Sequence, residues 1–371
     1  MKLKIPQNLQ VLAPYQPGKP IEEVERELGL SQTIKLASNE NPLGPSPRAV
    51  AAAREALSGI HRYPDGSGYY LKRALAEALG VPPRRIVLGN GSTELVELLA
   101  RTFLGPEDDA VMSEGAFVMY RIATQAVNGH PRLVPQASGY RHDSLALAAA
   151  VGERTRLLFI ANPNNPTGTY IREDELAALL DQVPEETLVV VDEAYHEYVV
   201  AGDYPRNLPR IGVRPNLVVL RTFSKIYGLA GLRIGYALVQ EEVAAALERV
   251  RSPFNTNAVA QAAALAALAD TEHVLRSRDS NQVELPYLER GVQSLGVRTV
   301  PSVANFVLAL VGPGAEELYG RMLTRGVIVR PMRAFGFPEA LRITVGTRAE
   351  NDRCLAALEA GLREIGGETR P

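Results

Sequence analysis

The chain of 371 residues has 46% hydrophobic and 22% charged side chains and a formal net charge of −2. That length fits two domains, buries enough surface to need no disulfide or metal staple, and comes with no global field that would draw the chain to nucleic acid or an acidic membrane. A single cysteine, Cys354, excludes an intrachain disulfide, and the scattered histidines offer no zinc-type pair, so no metal is expected.

Residues 1–40 read as a polar, proline-rich arm with one short amphipathic stretch, Ile21 to Leu30. The start lacks the apolar run of a signal peptide, and no window is long and uncharged enough to span a membrane, so a cytoplasmic protein is expected. Helical patterns follow at Ala49 to Leu57 and Leu71 to Leu79. A short strand, Arg85 to Leu88, leads into Gly89-Asn90-Gly91-Ser92-Thr93 and a helix from about Glu94 to Phe103. Ala110 to Met112, Arg156 to Ala161, Thr187 to Val191 and Asn216 to Leu220 read as further strands. The last three are near-continuous apolar runs, the signature of parallel strands covered on both faces. Strands alternating with helices predict a doubly wound α/β domain over residues 41–255.

The pattern changes beyond residue 255. Helices at Ala258 to Leu268 and Glu272 to Leu295 precede short strands near Ala304 to Leu310, Val327 to Arg330 and Leu341 to Val345. A last amphipathic stretch, Asn351 to Ile365, contains Cys354, which reads as a small core residue. Residues 256–371 are therefore expected to form a smaller α+β domain.

Ligands of open α/β sheets bind beyond the carboxyl ends of the strands. The residues that follow each predicted strand carry the chemistry. Gly89-Asn90-Gly91-Ser92-Thr93 can cradle an anion, because glycines admit close backbone approach and the following helix offers free amides. It is not a dinucleotide fingerprint, since Glu94 stands where the third glycine would be. Asn162-Pro163-Asn164-Asn165-Pro166-Thr167-Gly168 is a turn with outward asparagines, Asp192-Glu193-Ala194-Tyr195 brings an acid and a phenol, and Thr222-Phe223-Ser224-Lys225 brings an amine, with Arg233 eight residues on. Each segment alone has an ordinary reading as a turn, a cap or a surface charge. Together they supply a lysine, an acid, a phenol, an amide and an anion cradle at successive strand ends, which is the set pyridoxal phosphate requires.

In order and spacing, Asn165-Pro166-Thr167-Gly168, Asp192-Glu193-Ala194-Tyr195, Ser224-Lys225 and Arg233 resemble the fold type I, aspartate-aminotransferase-like enzymes, over nearly the whole chain. Within that superfamily the chain is similar to the histidinol-phosphate aminotransferases. The motifs are Pro14-Tyr15-Gln16-Pro17-Gly18-Lys19-Pro20, Leu36-Ala37-Ser38-Asn39-Glu40-Asn41-Pro42-Leu43-Gly44, Arg62-Tyr63-Pro64-Asp65, Val329-Arg330 and Leu341-Arg342-Ile343-Thr344-Val345-Gly346-Thr347. The resemblance implies a large domain with a mostly parallel seven-stranded sheet and a smaller α+β domain, with the arm on the small domain or a partner subunit. It implies pyridoxal 5'-phosphate held as a Schiff base on Lys225, which also shuttles the proton. Asp192 would pair with the pyridine nitrogen, Tyr195 and Asn165 would bond the 3′-oxygen, and Phe117 would lie against the ring. Ser92, Thr93, Ser224 and Arg233 would hold the phosphate. Tyr63 would reach the phosphate in a partner subunit, giving a homodimer with shared sites. Arg342 would clamp the substrate carboxylate, and Arg330 with Tyr15 and Asn39 would shape the pocket and meet the substrate phosphate. The implied reaction exchanges nitrogen between glutamate and histidinol phosphate, in histidine biosynthesis. An aromatic amino acid aminotransferase, a threonine-phosphate decarboxylase and a non-catalytic ligand-binding domain compete with it.

Overall fold

A computed structural model describes residues 4–368. Its strands, in chain order, are β1 Ile34–Lys35, β2 Ile86–Gly89, β3 Asp109–Ser113, β4 His130–Val134, β5 Thr155–Ala161, β6 Leu188–Asp192, β7 Leu217–Thr222, β8 Gly235–Leu238, β9 Arg298–Val300, β10 Phe306–Leu310, β11 Val327–Ile328, β12 Arg330–Pro331 and β13 Ala340–Thr344. Seven of them form one sheet in the order β2-β8-β7-β6-β5-β3-β4. It is parallel from β7 to β4, while β8 runs antiparallel to both its neighbours.

Alternation along these strands explains why the sheet is covered twice. Leu158 and Ile160 of β5, Val189 and Val191 of β6, and Val219 of β7 face one apolar layer, which includes Ala49 and the helix Ala258–Ala269. Leu157, Phe159 and Ala161, Leu188 and Val190, and Val218 and Leu220 face the other, with the helices Ser92–Phe103, Met119–Ala126 and Glu241–Val250. A strand buried on both faces has no polar side to spare, which is why these segments read as unbroken apolar runs. Alanines 260, 263, 264 and 267 are buried along one helix, so its backbone lies close to the helix Pro47–Ala56.

Only the strand ends remain for polar work. Asp192 is opposite Leu220, Ala161 is opposite Asp192, and Thr222 and Gly89 both pair with Gly235. The carboxyl ends of β2, β5, β6 and β7 and the amino end of β8 therefore share one edge.

Of the six remaining strands, β1 and β11 form a separate pair, and the other four form an antiparallel sheet, β12-β13-β10-β9. Helices Thr271–Ser294, Ala315–Leu323 and Arg348–Glu368 pack on it around Leu288, Val292, Leu318, Met322 and Leu358. Cys354 is buried in this core, as its sequence context predicted. The run expected as one strand over Val327 to Arg330 is divided. Its first part pairs in parallel with β1 of the arm, and its second pairs with β13. The helix expected from Glu94 begins at Ser92, which moves both hydroxyl residues into its first turn. Among the described residues no helix is long and apolar enough to cross a membrane.

Phe159 is fully buried and stacks on Tyr120, with ring centres 4.8 Å apart and planes 3° apart. Phe159→Ala is expected to cost about 3–5 kcal/mol, because transfer and cavity terms add. Urea unfolding measures this, and a loss below about 1 kcal/mol would show that the layer collapses around the gap.

Candidate active site

At the shared edge one cavity is lined by Ser92, Thr93, Phe117, Asn165, Asp192, Tyr195, Ser224, Lys225 and Arg233, all proposed from sequence. The remaining lining includes Tyr120, Pro163 and Thr222.

Lys225 follows the end of β7. Its Nζ donates to the Ser38 carbonyl at 3.0 Å and lies 5.7 Å from the centre of the Tyr195 ring. Burial, then the neighbouring Arg342 and Arg233, lowers its pKa from 10.5 to about 8, against the pull of Glu40 and Asp192. A lysine so placed keeps far more neutral amine near physiological pH than an exposed lysine does, as a nucleophilic amine needs.

Asp192 ends β6 with its carboxylate buried. Oδ2 accepts from the Tyr120 hydroxyl at 2.9 Å and Oδ1 from the Ala194 amide at 3.2 Å. Burial raises its pKa to about 6, opposed by those two hydrogen bonds. A cation facing it would restore the ionised state. Beneath it, Arg221 reaches Glu193 Oε2 through Nε at 2.8 Å and Nη2 at 2.7 Å, and Asn207 donates to the other oxygen at 2.8 Å. Burial alone would raise the Glu193 pKa, but Arg221 above all keeps it below its ordinary value. This pair fixes the strand ends from behind the cavity. His196 is nearby, and burial lowers its pKa to about 4, so it stays neutral.

The Tyr195 hydroxyl accepts from Asn39 Nδ2 at 2.9 Å, and burial pushes its pKa up to about 12. Asn39 is itself held by Thr344, whose Oγ1 accepts from its amide at 2.9 Å. Asn165 Oδ1 accepts from Arg342 Nη1 at 2.5 Å. Arg342 Nη2 donates to the Ala37 carbonyl at 2.7 Å, while its buried Nε has no partner. An arginine with an unpaired, buried N–H is suited to a planar anion.

The anion cradle is built by close approach. Arg233 has a left-handed backbone, φ 58°, uncommon outside glycine and sustained only where the surroundings dictate it. Its Nη1 donates to Ser224 Oγ at 3.3 Å and to the Ala230 carbonyl at 3.1 Å. A Cβ on Gly91 would lie 2.4 Å from Arg233 Nη2, and one on Gly235 would lie 2.8 Å from the Ser92 amide. Both glycines are required for the guanidinium and the first turn of helix Ser92–Phe103 to meet. A guanidinium beside free helix amides is an anion site.

Arg330 of β12 pairs directly with Arg342 of β13. It is buried, donates through Nη2 to the Gln16 carbonyl, and lies 5.5 Å from the Tyr15 ring and 5.6 Å from the Phe335 ring. The arm thereby brings Tyr15 over the cleft. Tyr63 is not brought into this cavity: it is 82% exposed and stacks on Phe254 at 4.7 Å. Sequence reasoning missed Tyr120, which holds Asp192. The available signal was its position one helical turn beyond Phe117, on the segment following β3.

Fold and site together define an α/β enzyme built to handle an amine beside an anion. The chain belongs to the class I and II aminotransferases, whose family profile matches residues 31–358. It is 53% identical to the histidinol-phosphate aminotransferase of an Anaeromyxobacter species, over 95% of this chain and 98% of that protein. It is 49% identical to that of Moorella thermoacetica, over 95% and 91%. Among solved structures it is similar to histidinol-phosphate aminotransferase from Sinorhizobium meliloti in complex with pyridoxal-5'-phosphate, with a TM-score of 0.89 and 30% identity over 98% of this chain and 99% of that one. Aspartate aminotransferase from Thermus thermophilus with maleate gives a TM-score of 0.83 and 25% identity over 98% and 100%.

The lowered pKa of Lys225 has a consequence for stability in protein free of cofactor. Between about 8 and 10.5 the unfolded chain binds more protons at this lysine than the folded one. Stability therefore rises with pH across that window. Lys225→Met should remove this rise, a difference of roughly 1–3 kcal/mol between the two proteins. Denaturant midpoints at both ends of the window test it, and parallel curves would place the lysine in water.

Proposed function

We propose that this chain is a pyridoxal-phosphate-dependent aminotransferase that exchanges nitrogen between glutamate and 2-oxoglutarate on one side and histidinol phosphate and imidazole acetol phosphate on the other. The observation that carries the reading is the pairing of Arg342 with Arg330 on adjacent strands beside Lys225. One guanidinium suits a carboxylate, and the other lies under the arm, where a second anionic group would extend. The names of the relatives support the same substrates.

The residues fit the cofactor. Asp192 is a buried acid in need of a cation, the glycine at 91 lets the Arg233 guanidinium approach the first turn of helix Ser92–Phe103, and the pKa of Lys225 is lowered toward neutrality. When bound, pyridoxal phosphate supplies an electrophilic carbonyl carbon and a conjugated electron sink. Ser92, Thr93, Ser224 and Arg233 would bind its phosphate, Asp192 would hold the proton on its ring nitrogen, Tyr195 and Asn165 would hydrogen-bond its ring oxygen, and Phe117 would cover a ring face. Lys225 Nζ would hold the cofactor and, once displaced by the substrate amine, would serve as the base that removes the substrate Cα proton and as the acid that delivers it to the cofactor carbon. Arg342 orients the substrate carboxylate of glutamate, while Arg330, Tyr15 and Asn39 form the far wall and exclude water.

The reading extends to a cytoplasmic homodimer with shared sites, an arm over residues 1–40, a large domain over 41–255 and a small one over 256–371. Exposed Tyr63, Tyr70, Ile60 and Leu57 support the dimer, since an apolar face of that kind is suited to a second copy.

The test is a half-reaction on cofactor-loaded protein, followed by loss of its visible absorbance. Rapid loss with histidinol phosphate, and slow loss with phenylalanine, is expected. Rapid loss with phenylalanine would make this a broad aromatic aminotransferase, and release of CO₂ from threonine phosphate a decarboxylase. Lys225→Ala should slow the half-reaction by roughly 10³-fold or more, the scale of a lost proton-transfer group. Asp192→Asn should slow it by roughly 10²–10³-fold, since the ring nitrogen loses its charged partner. Turnover near the wild-type rate in either variant would remove that residue from the mechanism.

A further inference from the structure

Beside the site described above lies a second cavity, roofed by residues 11–16 of the arm, floored by Arg121 and Gln125, and walled by Arg330 and Phe335. No aspartate or glutamate lines it. Arg330 reaches only the Gln16 carbonyl and two aromatic rings there. Arg121 is exposed and takes part in no ion pair among the described residues. It stands on helix Met119–Ala126, whose position is set from both sides. Its neighbour Tyr120 donates to Asp192 at 2.9 Å, and Asn8 of the arm donates to the Gln125 carbonyl at 2.9 Å. Arg121 is thus presented by a fixed element to a space that already holds one uncompensated guanidinium. Two cations facing one cavity without an acid repel each other, and a bound anion relieves that repulsion.

We propose that Arg121 is a specificity-determining residue: with Arg330 it receives the phosphate of the substrate under the arm and favours phosphorylated over unphosphorylated amines. This rests on the aminotransferase reading above. The cavity is accessible to solvent at Arg121, so this guanidinium acts on arrival more than on the chemical step. A charge at such a rim changes the association rate and its salt dependence.

The experiment compares wild type, Arg121→Ala and Arg121→Lys in the holoenzyme with histidinol phosphate and with histidinol. The expected result is that the ratio of kcat/KM for the two substrates falls roughly tenfold in Arg121→Ala, the scale of one charge-assisted contact. The salt dependence of the phosphorylated substrate should flatten, and Arg121→Lys should recover part of both effects. A merely structural role would lower both substrates together and leave the ratio unchanged, which would overturn the proposal. If the wild type proves inert toward histidinol phosphate, the substrate assignment fails separately. Inhibition of the glutamate half-reaction by inorganic phosphate then decides for Arg121: weaker inhibition in Arg121→Ala supports the anion site, and equal inhibition overturns it.

Discussion

Lys225 sits within a shell of like charge. Burial drives its amine toward neutrality, Arg342 and Arg233 push the same way, and only Glu40 and Asp192 oppose them. Glu40 is partly spent, because it pairs with Lys35 at 2.8 Å. Asp192 has its own burial to offset, and its pKa has risen to about 6. Neither acid restores the lysine to its ordinary pKa. The site is built short of negative charge, and a ligand rich in it completes the balance. The same deficit extends to the cradle at Arg233 and to the far wall at Arg330. The sheet allows this concentration because the central residues of β5, β6 and β7 are apolar on both faces. Each polar group of the site is confined to one edge, where the groups act on each other at close range.

Most of that edge was legible in the sequence, for a physical reason. Parallel strands covered on both faces must be apolar throughout, so β5, β6 and β7 stand out, and the first polar residues after them mark the edge. Asp192, Ser224 and Lys225 are found in this way. In the seven-stranded sheet, the two strands that apolar runs do not reveal are β4 and β8. β4 is the outermost strand of the sheet, contains Pro131 and Arg132, and exposes several of its residues. β8 has only four residues and runs against the others. The count of seven strands came with the resemblance to a known fold. Tyr120 stayed hidden because its partner Asp192 is 72 residues away, and no local pattern marks such a contact. Tyr63 presents the converse case. Its motif was legible, but in one chain its ring stacks on Phe254 at the surface.

The division of the run at Val327 to Arg330 shows how register sets chemistry. Side chains on adjacent antiparallel strands that pair directly lie on the same face of the sheet. The pairing of Arg330 with Arg342 therefore sets two guanidiniums side by side, an arrangement that costs energy in an empty protein. Burial and the nearby Arg330 both lower the pKa of Arg342. Carbonyl oxygens meet part of this cost. Ala37 serves Arg342, and Gln16 serves Arg330. Both acceptors belong to the N-terminal residues, so the arm acts as a neutral counterweight to the charge of the β12–β13 edge. A slip of one residue in β12 would turn Arg330 to the other face and leave the arm without its cationic partner.

That role links the arm to ligand binding. A guanidinium has five N–H donors in a fixed fork, and the Gln16 carbonyl uses only one nitrogen of Arg330. An anion can take the others without displacing the arm. A carbonyl dipole and an anion on the same guanidinium then hold it from two sides, and the Tyr15 and Phe335 rings keep its plane in place. Fixing Arg330 by the arm lowers the entropy that an anion must remove, and fixing it by an anion does the same for the arm. The two events are therefore reciprocal. Under the proposed function, an anionic substrate would tighten the roof that shields it from water, while an uncharged one would leave the arm to bind Arg330 alone. On that reading, selection for a charged tail and ordering of the arm both rest on one arginine and its place in the register.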